Sequence, residues 1–253
     1  MKTSWGNVAG WYDSVVNDRD SYQQKVILPN LLRILAPAKG RVMLDLACGE
    51  GFFASACAAK GARVTGVDIA PELIELAKKH ATHKEEFLVS PADNLSMFGT
   101  GPFDAVSIVL AIQNIDQFAK VFKEVSRVLR PGGTFAIVLN HPSFRIPDKT
   151  SWGFDDVAKA QYRRVDEYMT ESRKAIDMRP NQTAKGKPSE FTHSFHRPLQ
   201  VYSKTLANAG FAIARIEEWM SHKESEPGPR KGAEDKARRE IPMFMCLECV
   251  KIK

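Results

Sequence analysis

The chain has 253 residues, 43% hydrophobic, 26% charged and 9% aromatic, enough for one large domain with its own core. No apolar run approaches the roughly 20 residues of a membrane-spanning helix, and Met1-Lys2-Thr3-Ser4-Trp5-Gly6 lacks the apolar stretch of a secretory signal, so a cytoplasmic protein is expected. The net charge of +6 is spread: even the densest basic stretch, Lys231 to Arg239, is interleaved with Glu234 and Asp235, which argues against a nucleic-acid groove.

In chain order, Ser21–Leu35 reads as a helix that Pro29 interrupts. Five strand candidates then alternate with helices. The strands are Arg41–Ala47, Arg63–Ile69, Glu86–Ser90, Phe103–Leu110 and Thr134–Asn140, and the first, fourth and fifth are apolar enough for burial on both faces. The helices are Phe52–Lys60, closed by Gly61, Pro71–Ala81, opened by its proline, and Asp116–Leu129, which carries an apolar stripe and stops at Arg130-Pro131-Gly132-Gly133. Residues 141–197 lose this periodicity and read as a cap inserted over the sheet, with a helix across Asp155–Ile176. Leu199–Ala209 is again helical, Phe211–Trp219 and Ile241–Val250 are strands, and Ser221–Glu240, with Pro227-Gly228-Pro229, reads as a mobile loop. The alternation predicts an α/β, doubly wound sheet in a single domain over 1–253, with a helical lid over 1–40.

Four cysteines in a chain of this length do not make a disulfide framework. Cys246 and Cys249 have C-x-x-C spacing, but on a strand an odd separation sends them to opposite faces, so no metal is expected there. His193 and His196 lack an acidic or thiol partner at fitting spacing and read as pocket lining or plain structure, and His80 and His83 as exposed.

Chemistry concentrates in Val42-Met43-Leu44-Asp45-Leu46-Ala47-Cys48-Gly49-Glu50-Gly51, where a buried strand enters a glycine turn and a helix follows. Gly49 and Gly51 permit positive φ and close approach of a ligand, and the helix N-terminus offers unpaired N–H groups. The turn also satisfies a relaxed dinucleotide fingerprint through Ala54, but Asp45, at the strand end, suits a ligand bearing an ammonium group better than a pyrophosphate.

The segment Leu44–Gly51 closely resembles the first motif of class I S-adenosylmethionine-dependent methyltransferases. Val67-Asp68-Ile69-Ala70, Ser90-Pro91-Ala92-Asp93-Asn94-Leu95, Phe103-Asp104-Ala105-Val106, Leu110-Ala111-Ile112-Gln113-Asn114 and Leu129-Arg130-Pro131-Gly132-Gly133 resemble the family's later motifs in order. The likeness covers 41–140 well and 198–250 reasonably. It implies a Rossmann-like seven-stranded sheet, mostly parallel, with a terminal antiparallel strand pair, and S-adenosylmethionine as cofactor. By the same resemblance, Asp45 and the Ala47–Gly51 backbone, Cys48 included, would hold the methionine part. Asp68 would bind the ribose, Ile69 would pack on the adenine, Ala92 and Asp93 would read its edge, and Leu110 would close the cofactor side. Asp104 would support the turn.

Methyl transfer needs alignment of the acceptor, and a base only when the acceptor must lose a proton. His141, directly after the fifth strand, is the preferred catalytic group, the alternative being a histidine hydrogen-bonded within the Pro142-containing turn, with Tyr12, Gln113, His141 and His196 as substrate-side residues. Trp5, Trp11, Tyr12 and Tyr22 either close the N-terminal lid over the cofactor or pack a docking helix onto the core. Stretches from Asn140 onward resemble bacterial methyltransferases grouped with ubiquinone and menaquinone biosynthesis enzymes, without fixing a quinone substrate. The expected function is methylation of a small, aromatic or partly apolar acceptor. RNA or protein methylation and a non-catalytic S-adenosylmethionine-binding protein remain alternatives, and a nicotinamide-dependent oxidoreductase is disfavoured by Asp45 and the later motifs.

Overall fold

A computed structural model describes residues 4–10, 18–178, 183 and 190–252. Its centre is a seven-stranded sheet built from β1 (Val42–Leu46), β2 (Arg63–Asp68), β3 (Glu86–Val89), β4 (Phe103–Val109), β5 (Leu129–Asn140), β10 (Phe211–Trp219) and β11 (Phe244–Lys251). Their spatial order is β10-β11-β5-β4-β1-β2-β3. The five strands from β3 to β5 run parallel, while β11 slots antiparallel between β5 and β10, as expected of the terminal pair.

Side-chain alternation along these strands divides the core in two. Leu44, Leu46, Val106 and Ile108 face one side, under α4 (Phe118–Val128) and α5 (Leu199–Asn208). Met43, Val64 and Ala105 face the other, under α1 (Leu28–Leu35), α2 (Phe52–Ala58) and α3 (Pro71–His80). Cys249 belongs to the first layer and Cys246 to the second, so their spacing does separate them. Asp104 joins strand starts: its Oδ2 accepts the Val42 amide at 2.7 Å and its Oδ1 pairs with Arg130 at 2.6 Å.

Pro29 sits in the first turn of α1, and the stretch before it, Gln23–Ile27, widens into a π-helix. A proline cannot donate the hydrogen bond that would continue a regular helix through that point.

Two expectations are corrected. No helix forms across Asp155–Ile176; the stretch supplies β6 (Thr150–Asp155), β7 (Ala160–Val165) and β8 (Ser172–Asp177). β6 pairs with β7 and β8 with β9 (Phe191–His196) as antiparallel hairpins. The carboxylate of Asp155 accepts the Val157 and Ala158 amides, both at 2.9 Å, which turns the chain sharply instead of starting a helix. Along β7 exposure alternates strictly, the period of a strand. Likewise the expected loop ends in α6 (Lys231–Glu240), held by a Lys231–Asp235 pair at 2.8 Å one turn apart and by the Ser225 amide on Asp235. No helix among the described residues is long and apolar enough to cross a membrane.

Candidate active site

A cavity of about 540 Å³ lies at the carboxyl ends of the parallel strands, the edge where doubly wound sheets take ligands. Its floor is made where two strands end in left-handed backbone: Ala47 after β1 and Leu110 after β4, both at φ +52°. Gly49, at φ +58°, completes the turn. Non-glycine residues rarely hold this conformation, and the paired ends turn the chain away from the sheet to leave the space open.

Asp68 closes β2 over this turn. One carboxylate oxygen accepts the Gly49 amide at 3.0 Å and the other the Ala70 amide at 2.9 Å. Burial raises its pKa, with both amides pulling against that shift. Each oxygen keeps lone-pair capacity toward the cavity, which Asp68 lines. Ile69, Ala92 and Asp93 line it too.

Asp45 does not border this space. The β1–β4 register sets it opposite Ser107, whose hydroxyl donates to Oδ1 at 2.8 Å, and the residue is 3% exposed beneath the turn. Oδ2 makes no well-formed hydrogen bond. Burial, with some repulsion from Asp68, raises the Asp45 pKa to about 7. Cys48 is buried beside Gly66, and its pKa is pushed up by burial. Gly51 faces β3 rather than a ligand: a Cβ there would lie 2.7 Å from Phe87 Cζ. Its conformational freedom, at φ +86°, serves packing of the turn.

A second cavity, of about 820 Å³, adjoins the first, and Trp5, Leu110, Asn114, Thr192 and Phe195 border both. β9 stands between them. Phe191 and His193 line the first cavity only, Ser194 and His196 the second only, as strand alternation dictates. The strand is tied to the loop after β4 by Asn114 Nδ2, which donates to the His193 carbonyl at 2.9 Å, and by Arg197, which donates to the Ile115 and Asp116 carbonyls at 3.0 and 3.1 Å.

The expected substrate-side residues separate here. Gln113 and His196 line the second cavity. Gln113 Nε2 donates to the Leu110 carbonyl at 2.7 Å, and among the described residues its buried Oε1 has no partner. His196 Nε2 lies 2.8 Å from the Tyr168 carbonyl; a carbonyl only accepts, so Nε2 carries the hydrogen and Nδ1 keeps its lone pair.

His141 is placed otherwise. It lines neither cavity and is 2% exposed. Its Nδ1 accepts the Ser143 and Phe144 amides at 3.2 and 3.3 Å, so Nε2 donates to Glu218 at 2.7 Å. Burial lowers its pKa against the pull of Glu218. With both nitrogens committed, His141 holds the turn after β5.

Tyr22 packs against Phe244 and bonds Ser221 instead of covering the cofactor side, whereas Trp5 lines both cavities. Trp11 and Tyr12 lie outside the described residues. Missed from sequence were Arg173, Phe191 and Thr192; the Phe191–His193–Phe195 alternation was the available signal.

Known proteins resemble this chain in the same region. Residues 44–137 match the family model described as a methyltransferase domain. The likeness of these residues is to a methyltransferase domain. A Xylella fastidiosa protein named ubiquinone biosynthesis O-methyltransferase is 27% identical over 128 residues, 49% of this chain and 52% of that protein. One of the same name from Xanthomonas oryzae is 32% identical over 97 residues, 37% and 41% of the respective chains. The chain thus matches about half the length of such curated relatives. The crystal structure of an S-adenosylmethionine-dependent methyltransferase from Mesorhizobium loti is 25% identical and superposes with a TM-score of 0.67 over 88% of this chain and 96% of that one.

The Mesorhizobium loti methyltransferase is S-adenosylmethionine-dependent, and the cavity here has the chemistry to take that cofactor. Asp68 and Asp93 present carboxylates to hydroxyl or amino donors, Ile69 and Ala92 supply apolar surface for a base, and the Ala47–Gly49 turn leaves backbone open to the remainder.

Proposed function

We propose that this protein methylates a small-molecule acceptor held in the second cavity. The observation that carries the reading is the pair of adjoining cavities, one walled by the methyltransferase motifs and the other by the 141–197 cap. The curated relatives are named as O-methyltransferases, which favours a hydroxyl oxygen as the acceptor atom.

Bound in the first cavity, S-adenosylmethionine supplies an electrophilic methyl group on a positively charged sulfur. Asp68 would hold the ribose and Asp93 the adenine edge, fixing the cofactor's position. The cap, with β9 as its inner wall, keeps water from the approach. Gln113 Oε1, buried and open as an acceptor among the described residues, would take a hydrogen bond from a second donor of the acceptor molecule and so orient it. His196, its tautomer set by the Tyr168 carbonyl, would take the proton at Nδ1. Such positioned proton acceptance contributes roughly 10²–10⁴-fold to rate.

The test is labelled-methyl transfer from S-adenosylmethionine to a panel of phenols and catechols, with RNA and protein as controls. Transfer to a small hydroxyl compound is expected. His196→Ala should lower its kcat by about 100-fold, leaving cofactor affinity unchanged. Transfer confined to RNA or protein would overturn the acceptor class, and an unaltered kcat in His196→Ala would remove His196 from proton transfer.

A further inference from the structure

On the reading that the second cavity holds the acceptor, we propose that the acceptor is an anion: an apolar or aromatic body carrying a carboxylate that seats against Arg145 and Arg163.

Most arginines of this chain that make charge contacts meet a carboxylate: Arg33 meets Glu217, Arg127 meets Glu124, Arg130 meets Asp104 and Arg215 meets Glu248. Arg145 and Arg163 do not. Both line the acceptor cavity and also a smaller one of about 240 Å³ beside it, where Arg238 adds a third guanidinium and no acidic residue contributes. Among the described residues no side-chain hydrogen bond or ion pair reaches Arg145, whose surroundings nonetheless lower its pKa by desolvation. Arg163 is fixed in place: Nε donates to the Phe144 carbonyl at 3.0 Å, Nη2 to Thr150 Oγ1 at 2.6 Å, and the guanidinium lies 5.0 Å from the Trp152 ring centre. Among the described residues no hydrogen-bond partner meets its Nη1. Burial lowers the Arg163 pKa, and the like charge of Arg145 adds to that shift.

Two like charges facing a partly desolvated space without a counter-charge are destabilising until an anion arrives. Among the described residues that line the acceptor cavity one carboxylate occurs, that of Asp177, whose Oδ2 accepts a hydrogen bond from Thr183. The rest of that wall is largely apolar or aromatic near Leu139, Ile146, Phe195 and Tyr202. A planar carboxylate matches the guanidinium fork of Arg145 and would leave its apolar body toward Leu110 and Phe195, which border the cofactor cavity as well.

The experiment uses the full chain with S-adenosylhomocysteine bound, at low ionic strength, and ligand-observed NMR on matched acids and amides. The pairs are 4-hydroxybenzoate with 4-hydroxybenzamide, 4-hydroxycinnamate with its amide, and indole-3-acetate with indole-3-acetamide. The acid of each binding pair should bind about tenfold tighter than its amide, the size expected of one charge-assisted contact. Arg145→Gln should remove most of that preference, and Arg145→Lys should keep part of it. Calorimetry with S-adenosylhomocysteine reports whether each variant is folded. Amides binding as well as acids, a preference that survives both Arg145→Gln and Arg163→Gln, or no acid binding to protein that holds S-adenosylhomocysteine would each overturn the proposal. Failure of the unmodified chain to bind S-adenosylhomocysteine would instead sink the methyltransferase reading, with the acid preference still measurable.

Discussion

Asp45 stands at the end of β1 with its carboxyl in a site that opposes ionisation. Burial and the neighbouring Asp68 raise its pKa to about 7, from 3.8 in an unperturbed aspartate. Between those values the folded chain retains a proton that the unfolded chain has released. Stability therefore falls as pH rises through this window; the contribution is complete below the unfolded value and gone above the folded one. Urea denaturation at about pH 5 and about pH 8 should show wild type losing on the order of 1–3 kcal/mol more than Asp45→Asn across that interval. Equal losses in the two proteins would mean that Asp45 is ionised at both pH values. The sequence shows an acid at a strand end before a glycine turn, but not its depth. That depended on the pairing of Asp45 with Ser107, a neighbour 62 residues away. Gly51 is similar: its partner is Phe87, on a strand whose adjacency no local pattern reveals.

At the scale of elements, the cap shows where periodicity fails as a guide. In β7 the half-buried positions are Gln161, Arg163 and Val165, so an arginine points inward and the strand loses its apolar alternation. In α6 the only fully buried residue is Ala237, and ion pairs rather than an apolar stripe hold the helix. The strands and helices of the cofactor half were legible because each buries an apolar face. What anchors the cap is Arg197, 4% exposed, which bonds two carbonyls of the loop after β4 and lies 4.2 Å from the Phe118 ring centre and 4.9 Å from that of Phe195. Arg197→Ala removes both attachments and should destabilise the chain by about 2–3 kcal/mol. Denaturant titration checks this. A change below about 0.5 kcal/mol, the range of ordinary surface substitutions, would mean that β9 is held by its own hairpin.

For the whole molecule, the sheet order follows from alternation along the chain, and the site follows from the sheet. Strand ends from β1, β2 and β4 meet at one edge, and the motifs that resemble a methyltransferase fall on those ends. Seven of the ten expected cofactor residues line the cavity there; Asp45, Cys48 and Gly51 support it from beneath because their contacts run into the core. The acceptor side was much less legible, since its walls come from hairpins brought over the sheet by contacts such as Asn114 with His193.

The central claim is that this cavity binds S-adenosylmethionine through Asp68. Calorimetric titration of the wild type and of Asp68→Ala with S-adenosylmethionine, S-adenosylhomocysteine and NAD tests it most directly. The wild type should bind the first two and not NAD, and Asp68→Ala should bind them roughly 10- to 150-fold more weakly, the loss of about 1.5–3 kcal/mol for a charge-assisted hydrogen bond. Binding of NAD without S-adenosylmethionine, or affinity unchanged in Asp68→Ala, would contradict the account.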